Sequence, residues 1–256
     1  MTATRGVLVL DWGIGGLPTH NALRQAAPGI PLTYLSDSGY EPYGRVERDD
    51  LLDRLSEIGR YAARREVPTI AVACNAVSSV LDRPETDLGN GVTAVSLIHT
   101  FLESFPKGSR SIGVIGGFST INNGEYRNGL ESCGYRVSQQ VAQELSAIVE
   151  SADYSGIDDT LRRIIGPVRD ANALILGCTH YPAVSHRITK LFPHLELIDP
   201  SQALVDYLAK TLKPATSESV PSTFFTTGDP VQSRLAAQRA FGINVEFARI
   251  DMDLAQ

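Results

Sequence analysis

Short apolar runs alternate with amphipathic segments along most of this chain. Val7–Leu10, Leu32–Leu35, Thr69–Ala73 and Val92–Leu97 are β-rich and apolar at consecutive positions, as in strands buried on both faces. Between them, residues 48–65 place Leu51, Leu52, Leu55, Ile58 and Tyr61 at helical spacing with charge on the opposite side. The later part repeats the alternation. Ile112–Ile115 reads as a strand, 124–133 as a helix and Tyr135–Val137 as a strand; helix 158–165 then precedes strand Ala173–Leu176. Such an order predicts parallel sheets covered by helices on both faces, which bind ligands beyond the carboxyl ends of their strands.

Two segment types occur twice, once in each half. Val7-Leu-Val-Leu-Asp11-Trp-Gly13 and Ser111-Ile-Gly-Val-Ile115-Gly-Gly117 each run from a strand into a glycine-rich turn. Thr69-Ile-Ala-Val-Ala-Cys74-Asn75 and Ala173-Leu-Ile-Leu-Gly-Cys178-Thr179 each run from a strand to a thiol. The chain therefore reads as a duplicated unit with one cysteine at the tip of a buried strand in each half. The polar, proline-flanked stretch 213–222 reads as a connection, followed by strand Thr223–Thr226, helix 230–241 and strand Val245–Ile250. That last piece is too short for a core of its own and must return to the first lobe. The expected organisation is a discontinuous first lobe, 1–94 with 208–256, and a second lobe, 95–207.

A free cysteine is usually a small buried hydrophobe. Two cysteines in matching contexts, each followed by a polar residue and a helix-start pattern, reverse that expectation, because a helix N-terminus favours the reactive thiolate. Two thiols across a cleft can address the two faces of one carbon. Cys133, in Glu131-Ser-Cys-Gly-Tyr135, has no such counterpart and reads as structural. A Cys74/Cys178/His180 zinc site is the rival reading, but Cys-x-His is tight and no Cys-x-x-Cys or His-x₃-His is present. Asp11 is positioned as a turn former or as a partner for an ammonium group or thiol. The glycines after it are no dinucleotide fingerprint, since Pro18 stands where a third glycine is needed; the turn amides could still cradle a carboxylate. The four lysines, Lys107, Lys190, Lys210 and Lys213, avoid the strand tips, which argues against a Schiff-base cofactor.

Composition narrows the field. At 256 residues, 43% hydrophobic and 20% charged, the chain has the makeup of a soluble globular protein. A net charge of −6 without a Lys/Arg cluster argues against nucleic acid as a partner. No signal-peptide pattern or membrane-length apolar run is visible, and three cysteines suit a reducing cytoplasm.

Asp11-Trp-Gly-Ile-Gly-Gly-Leu17, Pro42-Tyr-Gly44, Ala73-Cys-Asn75, Gly113-Val-Ile-Gly116 with Thr120, Leu176-Gly-Cys-Thr-His-Tyr-Pro182 and Phe224-Phe-Thr-Thr-Gly-Asp-Pro230 occur in one order along nearly the whole chain. Taken together they resemble the glutamate racemase branch of the aspartate/glutamate racemase superfamily. The resemblance implies two pseudosymmetric flavodoxin-like α/β lobes with the site between them. It implies cofactor-independent racemisation, with Cys74 and Cys178 as the paired acid and base. By the same resemblance Asp11 supports Cys74, His180 supports Cys178, and Glu150 assists on the second side, although its flanking residues differ from the family's. Asn75, Thr179, Thr120 and the turn Pro42-Tyr43-Gly44 would hold the substrate, and a homodimer is implied.

The departures bear on the substrate. Trp12 replaces a small hydroxyl residue, Ala76 a threonine and Gly117 a common threonine, each removing a donor from the expected carboxylate site. Sites built to hydrogen-bond a group discriminate by that bond. A re-cut pocket with Trp12 and Ala76 in its wall, favouring aspartate slightly over glutamate, is the sequence-based expectation. If Trp12 points away, glutamate stays the substrate. A decarboxylase or isomerase acting on a diacid, and a binding protein that has lost catalysis, are the competing readings.

Overall fold

The computed structural model describes residues 6–212 and 218–251. Among the described residues, eleven strands form two sheets. They are β1 (Val7–Asp11), β2 (Leu32–Ser36), β3 (Thr69–Val72), β4 (Glu85–Asp87), β5 (Thr93–Ser96), β6 (Ser111–Gly116), β7 (Arg136–Val141), β8 (Ala173–Gly177), β9 (Glu196–Ile198), β10 (Thr223–Thr226) and β11 (Ala248–Arg249). The first sheet has the order β11-β10-β2-β1-β3-β5-β4, the second β7-β6-β8-β9. All pairings are parallel except the antiparallel β4–β5 edge. Every residue of β1 and of β8 is buried, which is why both read as unbroken apolar runs.

The duplication seen in the motifs is a duplication of topology. Leaving aside β4 and the added β10 and β11, the first sheet runs β2-β1-β3-β5, and the second runs β7-β6-β8-β9. Both follow the flavodoxin-like order, in which the second strand lies outside the first. In this correspondence β3 matches β8, so Cys74 and Cys178 leave equivalent strands. The segments after β2 and after β7 are equivalent too.

Local chemistry sets the helices. Helix Arg48–Arg64 buries Leu51, Leu55, Ile58 and Tyr61 along one stripe, with Asp49 and Asp50 in its first turn and Arg64 in its last, opposing its dipole. Helix Pro230–Phe241 coincides with its expected range. The Asp229 carboxylate accepts from the Val231 and Gln232 amides at 2.8 and 3.2 Å, Pro230 starts the helix, and Gly242 ends it at φ 67°. The final strand is shorter than expected: only Ala248 and Arg249 pair, with Phe225 and Thr226.

Strands before residue 97 and after 222 belong to the first sheet, and those between to the second. Both expected lobe boundaries cut regular elements: 94/95 falls inside β5 and 207/208 inside helix Ser201–Thr211. That helix packs against helices Leu17–Ala26 and Leu97–Ser104, so it bridges the two halves. Part of the expected connection, residues 213–217, lies outside the described residues. No helix among the described residues is long and apolar enough to cross a membrane.

Candidate active site

A cleft of about 410 Å³ lies at the carboxyl ends of both sheets. Its wall contains Asp11, Trp12, Pro42, Tyr43, Gly44, Cys74, Asn75, Ala76, Thr120, Cys178, Thr179 and His180, thus every site residue expected from sequence except Glu150. Glu150 stands one layer behind, against His180. All three cysteines are free, and Cys133 packs at the edge of the core, away from this wall.

Cys74 closes β3 and sits at the start of helix Asn75–Ser78, where the Val77 and Ala76 amides favour its thiolate. Burial outweighs them: it pushes the Cys74 thiol well above the ordinary range, and the Asp11 carboxylate pushes the same way. Asp11 is itself fully buried at the end of β1, and that burial raises its pKa. Its Oδ2 accepts from the Thr179 hydroxyl at 3.0 Å, while Oδ1 is buried without a hydrogen-bond partner among the described residues.

The second thiol has a different neighbourhood. Residues 178–180 form a turn ahead of the short 3-10 stretch Tyr181–Val184, so the expected α-helix start at Cys178 is absent. His180 Nδ1 lies 3.7 Å from the Cys178 sulfur, and Nε2 lies 2.7 Å from Glu150 Oε1. Burial alone would pull the imidazole down; its bonds to Cys178 and Glu150 more than offset that and raise it well above an ordinary histidine. Burial pushes Glu150 up, but the His180 hydrogen bond and charge outweigh it and hold its carboxyl below the usual range.

The glycine-rich turn after β1 cradles a carboxylate, as its amides suggested, and that carboxylate is the protein's own. Ile14 N–H donates to Glu150 Oε1 at 3.0 Å. A Cβ at Gly13 would fall 1.9 Å from Glu150 Oε1, and one at Gly15 would fall 2.7 Å from His180 Nδ1. These glycines let the second half's His180–Glu150 pair dock against the first half's backbone.

Trp12 lines the cleft, its indole N–H tied to the Tyr40 carbonyl at 2.9 Å and its ring 6.4 Å from the His180 ring. The pocket is therefore walled by this side chain. Asn75 is held by the Tyr126 hydroxyl, which donates to Oδ1 at 2.7 Å. The Tyr43–Gly44 turn is anchored behind the wall: the Tyr43 hydroxyl donates to buried Asp37, which also receives two bonds from Arg54 at 2.6 and 2.8 Å. Sequence reasoning missed Gln143, Ser146, Gly177 and Tyr181 in the wall, which also contains Gly117, expected at the carboxylate site. Gly177 and Tyr181 flank the recognised Cys-Thr-His and were within reach of it; Gln143 and Ser146 sit in a segment without a motif. No lysine lines the cleft, and no group of three or more His, Cys, Asp or Glu among the described residues is arranged to hold a metal ion.

The sequence profile of the Asp/Glu/Hydantoin racemase family matches residues 19–208, most of the chain. The protein belongs to that family. Among relatives of this racemase-family chain, glutamate racemase of Aquifex pyrophilus is 30% identical over 231 residues, covering 87% of this chain and 89% of the relative. That of Persephonella marina is 30% identical over 209 residues, covering 79% and 80%. Among solved structures, glutamate racemase from Francisella tularensis in complex with D-glutamate superposes with a TM-score of 0.85 at 23% identity over 98% of both chains. Aspartate racemase of Picrophilus torridus reaches 0.60 at 16% identity over 82% of this chain and 96% of that one. Both show the two-lobed α/β fold that this family member shares.

Proposed function

We propose that this protein racemises an acidic amino acid by two-base proton transfer, with glutamate as the substrate. One observation carries the proposal: two free thiols leave equivalent strands of two duplicated sheets and line one cleft, each backed by a different acid–base partner. The substrate α-carbon would sit between the two sulfurs. One cysteine, as thiolate, takes the α-proton and becomes a thiol; the other, as thiol, delivers a proton to the opposite face and becomes a thiolate. Configuration inverts, one proton is lost and one gained, and the pair ends in the complementary protonation state that starts the reverse reaction.

The neighbours fit these roles. Without substrate, burial and Asp11 keep Cys74 protonated, ready to donate. A substrate ammonium against Asp11 Oδ1 would neutralise that carboxylate and ease formation of the Cys74 thiolate. His180, raised by its bonds to Cys178 and Glu150, can offer an N–H to the Cys178 sulfur 3.7 Å away.

Glutamate is favoured over aspartate by relatives 30% identical over most of the chain that are glutamate racemases. Aspartate is the second reading, kept by Trp12, which projects into the wall, and by Ala76 and Gly117, which offer no hydroxyl. The test is incubation of L-glutamate and L-aspartate separately in D₂O, with chiral chromatography for the D-form and mass spectrometry for α-deuterium. Glutamate inversion, lost by at least a thousandfold in both Cys74→Ala and Cys178→Ala, is the expected outcome. Higher kcat/KM on aspartate would replace the substrate, and exchange surviving either substitution would end the two-base reading.

A further inference from the structure

We infer that Gln143 is the specificity-determining donor that binds the side-chain carboxylate of the substrate. The inference rests on the diacid-racemase reading above and names a residue which that reading does not use. A substrate with two carboxylates meets a cleft whose wall contains no Lys or Arg, so neutral donors must hold both. Most side-chain donors in the wall are already committed. The Trp12 indole donates to the Tyr40 carbonyl, the Tyr43 hydroxyl to Asp37, the Tyr181 hydroxyl to the Ala142 carbonyl and the Thr179 hydroxyl to Asp11. Ser146 donates to the Gln143 carbonyl, and His180 serves Glu150 and Cys178. Besides the thiols, the Asn75 amide, the Thr120 hydroxyl and the Gln143 amide are left.

Topology separates these donors. Asn75 adjoins Cys74 in sequence and so stands at the reacting carbon. Gln143 stands across the second sheet from the other thiol. In that sheet Val141 pairs with Gly116 and Gly116 with Gly177, so a row above the strand ends runs from Gln143 over Gly117 to Cys178. Two strand spacings, ~10 Å, separate its ends at the backbone. A substrate with its α-carbon beside Cys178 has its side chain directed along this row. Gly117, without a Cβ, leaves room there for the Gln143 amide.

The Gln143 amide is oriented for the task. Its Oε1 accepts from the Phe118 N–H at 3.2 Å, which turns Nε2 to the donor side, and Nε2 donates to no protein group among the described residues. A Cβ on Gly44 would fall 2.4 Å from Oε1 and 2.9 Å from Nε2, and one on Gly117 would fall 2.7 Å from Oε1. The amide thus fills the gap between the two glycines. In the duplicated topology the segment after β7 that carries Gln143 corresponds to the segment after β2 that carries Pro42-Tyr43-Gly44. The two equivalent segments meet at the same end of the cleft. Gln143 supplies a donor beside Gly117, which itself has no side chain.

The test uses Gln143→Ala and the near-isosteric Gln143→Glu, which puts a negative charge where the carboxylate would lie. Calorimetric binding of glutarate and succinate, with butyrate as a one-carboxylate control, reads recognition without turnover. Steady-state racemisation gives KM and kcat. The expected result is diacid binding weakened about 10- to 100-fold in Gln143→Ala and further in Gln143→Glu, with butyrate binding within about twofold. KM for the diacid substrate rises while kcat stays within about threefold. Unchanged diacid binding, or equal losses for diacid and butyrate, overturns the inference. Failure of the racemase reading looks different: wild-type protein binds the diacids but exchanges no α-hydrogen.

Discussion

Replacing Glu150 by Gln tests whether the second thiol is controlled through His180. The substitution keeps an oxygen for the Ile14 amide and removes only the charge facing the imidazole, 2.7 Å away. His180 is 3% exposed and Glu150 22%, so solvent screens the pair weakly. A charge-assisted hydrogen bond of this kind contributes about 1.5–3 kcal/mol net. Gln keeps an accepting oxygen but not the charge, so the His180 pKa falls from its raised value toward that of an ordinary histidine. The Cys178 side then loses its protonated partner at lower pH, and the alkaline limb of kcat/KM moves toward acid. Titration of ¹⁵N-labelled histidines followed by NMR, alongside the pH–rate profile, reads both quantities. If His180 titrates at the same pH in both proteins, with an unmoved alkaline limb, the argument that Glu150 tunes the imidazole is refuted.

The same pair predicts a stability profile. Glu150 is lowered from 4.5 on folding, so its contribution is present above that pH and is lost as pH falls through the folded value. His180 is raised from 6.5, so its contribution is complete below 6.5 and is lost as pH rises through the folded value. The advantage of wild type over Glu150→Gln in urea unfolding is therefore largest between 4.5 and 6.5 and shrinks in alkaline solution. A difference that grows toward high pH would reverse the assigned sign.

Two further substitutions probe the buried charges. Asp11→Asn keeps a carbonyl oxygen for the Thr179 hydroxyl and removes a buried charge whose pKa burial has raised, a shift that costs stability above the folded value. Urea unfolding at pH 7 is expected to show a gain of about 1 kcal/mol with racemisation lost, the trade expected of a strained functional group; a large loss of stability would contradict it. Arg54→Leu leaves Asp37 fully buried without its guanidinium, at a cost of about 3–5 kcal/mol, and frees the Tyr43–Gly44 turn. The expected readout is a lowered Tm and a raised KM; a change in kcat alone would show that the turn is not what Asp37 holds.

The strands and thiols were legible because their signals are local. A strand covered on both faces must be apolar at successive positions, as in β1 and β8, and a helix capped by Asp229 and Gly242 announces both ends. The helix starting at Asn75 was visible, but the corresponding stretch after Cys178 forms a turn and a 3-10 segment, with Pro182 where a helix would begin. Glu150 could be picked out only through resemblance, since its partners His180 and Ile14 lie far from it in sequence. Gln143 gave no signal at all. It follows a partly exposed strand and precedes a helix that it does not cap by side chain, so nothing local demands glutamine there. Its surroundings come from Gly44 and Gly117, which only the folded chain brings to it.

A duplicated scaffold gives two thiols equivalent backbones but need not give them equivalent chemistry, and here it does not. Cys74 leaves β3 fully buried beside a carboxylate, and burial, with that charge added, pushes the thiol well above the ordinary range. Cys178 leaves β8 beside an imidazole, whose Nδ1 lies 3.7 Å from the sulfur. The asymmetry comes from single residues on matching positions: Asp11 and Gly116 end the first strands, while Ala76 and His180 each stand two places beyond a cysteine. His180 then needs a counter-charge, which Glu150 supplies, and Glu150 needs the bare backbone of Gly13 to fit. The glycine-rich turn of one half thus makes room for the His180–Glu150 pair of the other.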